Sequence, residues 1–180
     1  MSISPIDLII PHSCCSCGDI GTVLCEYCKY DITDERFSQC LVCFGPTGSA
    51  DNLCAACRRK SEYKKAWCVG PREGALEQVI NLYKFHRARA ASRVLTLLID
   101  GVLPELPDDI VVVPIPTIAP HVRIRGYGHT ELIAKHIAHT RKLAYRPVLQ
   151  RRTNPVQHGA TKQQRALQAA GTFECMSLDG

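Results

Sequence analysis

Four Cys-x-x-Cys pairs, Cys14/Cys17, Cys25/Cys28, Cys40/Cys43 and Cys54/Cys57, fall within the first third of the chain. Each pair offers two thiolates from a tight turn, at a separation that suits one metal ion. Two pairs complete the four-sulfur tetrahedron that structural zinc prefers, so four pairs predict two closed sites. Sequential pairing joins Cys14, Cys17, Cys25 and Cys28 on one ion and Cys40, Cys43, Cys54 and Cys57 on the other. It closes only short loops and so costs the least closure entropy. Interleaved pairing, first pair with third and second with fourth, is also compatible with the spacing. Gly18 and Gly45 follow the second cysteines of their pairs closely, where a turn around a metal needs positive φ. Cys15, Cys68 and Cys175 fall outside the pattern. Cys15 reads as a bystander, Cys68 as a small buried hydrophobe in Ala66–Val69, and His12 as a surface residue rather than a fifth ligand.

At 180 residues, 46% of them apolar, the chain has room for one ordinary domain and a small one. No basic start followed by a long apolar stretch is present. The best apolar run, Val94 to Leu103, is interrupted by Asp100, so export and membrane insertion are not expected and the cytoplasm is the expected compartment. In that reducing setting a cysteine array is read as metal-bound, with a disulfide scaffold as the competing reading. Residues 1–70 carry seven Lys/Arg against eight Asp/Glu, while residues 71–180 carry fifteen against nine. The second half therefore invites an anionic ligand. Thiolate-bound metal makes the first half more acidic still, which weakens the idea that it grips nucleic acid by charge alone.

Arg58 to Lys65 is charged and lacks apolar periodicity, so it reads as a linker or exposed ribbon; the boundary is set at 66/67, with domains 1–66 and 67–180. Beyond it, Ala75, Leu76, Val79, Ile80 and Tyr83 share one helical face. Val94, Leu95, Leu98 and Val102 repeat that spacing in a second helix, ended by Pro104. Asp109 to Pro114 is a short β-branched run, the pattern of a parallel strand buried on both faces. A loop, Thr117 to Gly128, and a helix, Thr130 to Lys142 with Leu132, Ile133 and Ile137 inward, follow it. Pro147–Gln150 reads as a second strand, Arg151–Ala160 as a polar loop, Thr161–Ala169 as a helix and Thr172–Cys175 as a short strand. Strand, loop and helix in this order make an α/β ligand site, where loop amides and helix N-termini favour anions.

In this order of elements the chain resembles the ComF family, cytoplasmic proteins with a double zinc ribbon followed by a type I phosphoribosyltransferase-like domain. The resemblance rests on the four cysteine pairs, Tyr83-Lys84-Phe85, Val113-Pro114-Ile115-Pro116, Arg125-Gly126-Tyr127, and the spacing of Arg152, Gln157, Arg165 and Phe173. It implies an α/β fold in which Pro116, Thr117, Arg123 and Arg125 hold the pyrophosphate of phosphoribosyl pyrophosphate, the arginines by bidentate contacts. It places Arg152, Gln157, Lys162 and Arg165 on a flap over substrate. It implies two structural zinc ions, magnesium with phosphoribosyl pyrophosphate only in a complete domain, and a link to DNA uptake through single-stranded DNA or a helicase partner. Where the family shows Arg-Gly-Phe-Asn-Gln, this chain has Arg125-Gly126-Tyr127-Gly128-His129. The family's Asp-Asp pair with a Thr- and Gly-rich phosphate turn is missing. The resemblance therefore implies an incomplete domain, inactive by itself, whose last strand lies at an open sheet edge. A natural short form that keeps only partner binding is the other reading.

Overall fold

The computed structural model describes residues 12–152 and 171–176. Gln157, Lys162, Arg165 and the expected helix Thr161–Ala169 lie outside them. By packing, the chain divides into two units, Met1–Glu105 and Leu106–Gly180. The helix pair that follows the cysteine pairs in sequence thus packs in the same unit as they do.

In the first unit α1 (Glu26–Thr33) and α2 (Ala55–Lys60) each start directly after a cysteine, and α3 (Gly74–Phe85) and α4 (Ala91–Val102) form the expected amphipathic pair. Helix α3 packs on both α1 and α4. Its inward face is Ala75, Leu76, Val79 and Tyr83. Burial of a Val or Tyr of this kind stabilises by about 1.5–3 kcal/mol. The inward face of α4 is rotated from the expected one: Ala91, Ser92, Leu95, Thr96 and Leu98 are buried and Val94 is only half-buried. Two polar residues can sit there because the helix satisfies them. Ser92 Oγ donates to the Arg89 carbonyl at 2.7 Å and Thr96 Oγ1 to the Ser92 carbonyl at 2.8 Å. The charged stretch after Cys57 is not all linker, since Arg58, Arg59 and Lys60 belong to α2.

The second unit contains β1 (Val111–Val112), α5 (Ala119–Arg125), α6 (His129–Arg141), β2 (Ala144–Tyr145), β3 (Leu149–Arg151) and β4 (Phe173–Cys175). β1 and β2 pair in parallel, Val111 opposite Ala144 and Val112 opposite Tyr145, and α6 packs on both. β3 and β4 form a separate antiparallel pair. Three expectations are corrected. The strand at 109–114 is only two residues long and is not buried on both faces, with Val111 45% exposed. Pro114 and Pro116 lack the N–H groups a longer ladder needs. Its parallel partner is Ala144–Tyr145 rather than Pro147–Gln150; the latter region supplies β3, which pairs with the short strand near Thr172–Cys175. Finally, the expected loop 117–128 holds a helix, α5, with a proline in its first turn and Gly126 as its left-handed C-cap at φ 82°.

Candidate metal centres

The first and third cysteine pairs are built by one backbone scheme used twice. In the first copy Cys14 N–H donates to Asp19 O (2.7 Å), Gly18 N–H to Cys14 O (2.9 Å), Gly21 N–H to His12 O (2.7 Å) and Cys15 N–H to Val23 O (2.9 Å). In the second, Cys40 N–H donates to Gly45 O (2.8 Å), Phe44 N–H to Cys40 O (2.8 Å), Thr47 N–H to Ser38 O (2.8 Å) and Leu41 N–H to Asn52 O (3.0 Å). A bridge closes each turn, Ser13 with Ile20 and Gln39 with Pro46. A fully buried leucine, Leu24 or Leu53, then precedes the third cysteine of each set, which is the N-cap of its helix.

This scheme brings together Cys14, Cys17, Cys25 and Cys28, and separately Cys40, Cys43, Cys54 and Cys57, with the ligand atoms of each set within 4.8 Å of one another. Pairing is therefore sequential. All eleven cysteines are free thiols, so the disulfide reading is set aside. Four sulfurs around zinc at about 2.3 Å stand roughly 3.8 Å apart along the edges of a tetrahedron. The Cys17–Cys25 sulfur separation is 3.6 Å and the Cys43–Cys54 separation 3.8 Å, so the donor set and its spacing fit. Each cluster also favours one thiolate. Burial pushes the Cys14 thiol up, but the N–H groups of Cys17, Cys25 and Ser16 outweigh it and bring it down to about 6. The N–H groups of Cys54 and Cys43 bring Cys40 down to about 6. Their partners do the opposite: burial first, then the neighbouring thiols, raises Cys28 to about 12, and the Cys54 side chain first, then burial, raises Cys57 to about 12.

Cys15 stands outside the cluster, at the position Leu41 holds in the second copy, as a bystander should. Cys68 is half-buried and hydrogen-bonded, its thiol toward Gly70 O at 3.3 Å, rather than a fully buried hydrophobe. Gly18 has φ 84°, as expected, but in the second copy the left-handed residue is Phe44, at φ 61°, rather than Gly45.

Two residues missed in the sequence hold the second copy in place. Asn52 is buried; its Nδ2 donates to Phe37 O at 2.6 Å and its Oδ1 accepts from Cys68 N–H at 2.8 Å. Its backbone N–H donates to Ala66 O at 2.7 Å. Asp51, also buried, accepts from Arg58 Nη2 at 2.8 and 3.0 Å and from Leu53 N–H at 3.2 Å. The signal was available: Asn52 stands where the first copy has Val23, a polar residue at a buried place in a repeat.

In the second unit, the residues expected to hold an anion are partly brought together. Thr117 Oγ1 lies 3.0 Å from His129 Nδ1, and Arg125 Nη1 lies 3.2 Å from the same nitrogen. An arginine only donates, so His129 Nδ1 is the acceptor in the contact with Arg125. Thr130 Oγ1 donates to Ile115 O at 2.5 Å, and Arg151 Nη1 approaches Pro116 O at 3.5 Å. Arg123 sits in the last turn of α5, whereas Arg152 is engaged with Glu174 through two contacts of 2.7 Å. His129 is thus the residue that joins Thr117 to Arg125.

Comparison with known proteins finds no match: no family model, no curated protein and no solved structure is significantly similar to the chain. No helix among the described residues is long and apolar enough to cross a membrane.

Proposed function

We propose that the two four-cysteine clusters each bind a zinc ion and form a double zinc ribbon, joined to a phosphoribosyltransferase-like unit of the ComF type that serves DNA uptake in the cytoplasm. The observation that carries this reading is the pair of four-sulfur groups, each within 4.8 Å. Four thiolates leave zinc no open position, so the ions are structural. Support for the second unit is the β1–α6–β2 arrangement, with Thr117, Arg125 and His129 gathered beyond β1, where α/β folds hold anions. Phosphoribosyl transfer, with magnesium and phosphoribosyl pyrophosphate, belongs to this reading only in company with an Asp-Asp and Thr/Gly turn. The role proposed for these 180 residues is binding. Elemental analysis of the purified protein tests the central claim. Two zinc ions per chain are expected, and fewer would overturn it.

A second reading is a non-catalytic module that binds single-stranded nucleic acid, or a protein partner such as a helicase. It is favoured by exposed Tyr27, Tyr30, Phe44 and Tyr63 and exposed Arg59, Lys60, Lys64 and Lys65 in the same unit, Tyr63 standing next to Lys64 in the chain. Aromatic platforms with cations suit unpaired bases. Titration of a labelled single strand at several salt concentrations tests it. Affinity should fall with a log–log slope of about −0.7 per phosphate contact, and a flat dependence would exclude nucleic acid.

A further inference from the structure

The two clusters share a backbone scheme but not an environment. In the first, Cys14, Cys25 and Cys28 are 3%, 8% and 5% exposed, and only Cys17 faces solvent. In the second, Cys40 alone is buried; Cys43 is exposed and Cys54 and Cys57 are half-exposed. The cause is the helix that carries the last two ligands. Cys25 caps and Cys28 lies on α1, which packs against α3. Cys54 caps and Cys57 lies on α2, six residues long with none of them buried.

Six residues are too few for a helix to persist in water by itself. Helix α2 is held by its two cysteines and by Arg58, whose guanidinium reaches Asp51 and, at 3.2 Å, the Leu53 carbonyl. The Arg58–Asp51 ion pair, its carboxylate buried and its guanidinium partly exposed, offsets only part of the ordering entropy of the six-residue helix. The metal is therefore the main tie on this basic turn, Arg58-Arg59-Lys60.

From these differences we infer that the second cluster is an exchangeable metal site that gates the order of α2, and that the first is permanently closed. The inference rests on the zinc reading above. Solvent reaches three of the four ligands of the second site, so a competing chelator can attack it without prior unfolding. In the first it reaches only Cys17, the other three being buried. Opening by local unfolding is slower the more packing it breaks. The chain accordingly has a stable one-zinc state in which Cys14, Cys17, Cys25 and Cys28 stay loaded while Ala55–Lys60 is released.

The test uses the full chain with its zinc counted first. A chromophoric chelator is added in excess, with a maleimide present to label freed thiols, and samples are mapped by mass spectrometry and by amide hydrogen exchange. One zinc should leave about tenfold or more faster than the other. In that first phase Cys43, Cys54 and Cys57 should become labelled and the amides of 55–60 lose protection, while Cys14, Cys25, Cys28 and the amides of 26–33 do not change. A Cys57→Ser variant should retain one zinc, released only at the slow rate. Release of both ions in one phase, or first labelling at Cys25 and Cys28, would overturn the inference and leave the zinc reading intact. Retained protection at 55–60 after the fast phase would overturn the gating of α2. A starting count below two zinc ions would instead defeat the zinc reading itself.

Discussion

Asn52 gives the sharpest test of how the second cysteine copy is tied to the rest of its unit. Its amide spans two backbone segments, donating to Phe37 O at 2.6 Å and accepting from Cys68 N–H at 2.8 Å, in a buried position. Asn52→Ala removes both bonds and strands a carbonyl and an N–H that are only partly reached by water. At about 1 kcal/mol per bond, with an added desolvation cost for the stranded groups, the loss is roughly 2–3 kcal/mol. Asn52→Asp keeps the acceptor for Cys68 but sets a carboxylate oxygen against the Phe37 carbonyl, so it should cost more than the alanine, roughly 3–5 kcal/mol. Urea unfolding with zinc in excess measures this. The single tryptophan, Trp67, precedes Cys68 and lines, with Asn52, Lys29 and Leu97, a cleft of about 630 Å³ in the first unit, so its fluorescence reports the affected place. With a slope of about 1–3 kcal/mol per molar urea, the alanine midpoint should fall by roughly 1–2 M. An aspartate variant at least as stable as the alanine variant would refute the reasoning, because the order of the two depends on which way the amide points.

Three further outcomes are expected. Gly18→Ala should cost about 1–2 kcal/mol in thermal unfolding of the zinc-loaded protein, since its φ is 84° and the new Cβ meets no atom, whereas Phe44→Gly, which relieves a left-handed non-glycine that is 66% exposed, should cost nothing. A loss on Phe44→Gly equal to that on Gly18→Ala would mean the ring packs. Arg58→Ala strips the buried Asp51 carboxylate of its cation and should lower stability by about 1–3 kcal/mol, and the double variant with Asp51→Asn should recover part of that loss in the same melt. Complete zinc removal should unfold the cysteine copies and change Trp67 fluorescence, and re-addition of zinc should reverse it; an unchanged circular dichroism spectrum after removal would show that packing alone holds them.

How much of this was legible in the sequence depended on the range over which each feature is determined. Metal ligation is local: two cysteines three positions apart define half a site wherever the turn sits, so all eight candidate ligands could be read directly, whereas their grouping was favoured by loop entropy but left open by the spacing. The helices α3 and α4 could be read because their apolar spacing repeats over successive turns. The rotation of the α4 face could not, since Ser92 and Thr96 enter the interior only by bonding their own backbone. Two-residue strands leave no period to detect, which is why Ala144–Tyr145 went unseen and Asp109–Pro114 was overdrawn. Helix α5 hid for the opposite reason: Pro120 and Gly126 look like loop residues, yet proline in the first turn and glycine at the C-cap are where a short helix accepts them.

The difference between the two clusters was also beyond the reach of spacing, and the reason bears on what the cysteine pattern can mean. Ligand identity is set within each copy, but exposure is set by what the following helix packs against. For α1 that is α3, whose inward residues lie about fifty positions away in sequence; α2 has no buried residue of its own. Two copies with the same backbone scheme, the same buried leucine and the same donor atoms can therefore bind the same ion with different lability. Duplication of a metal-binding turn supplies the chemistry, and the tertiary neighbour decides whether that chemistry is a permanent staple or an exchangeable one. Leucine at exposed Ala56 and Arg59 separates these two influences, because it adds apolar area to α2 without burying the helix. Zinc release from the second site should then keep its rate to within about twofold, since local opening is governed by packing that must be broken. A tenfold slowing in the same chelator assay would show that the character of α2 itself, rather than its neighbour, sets the exchange.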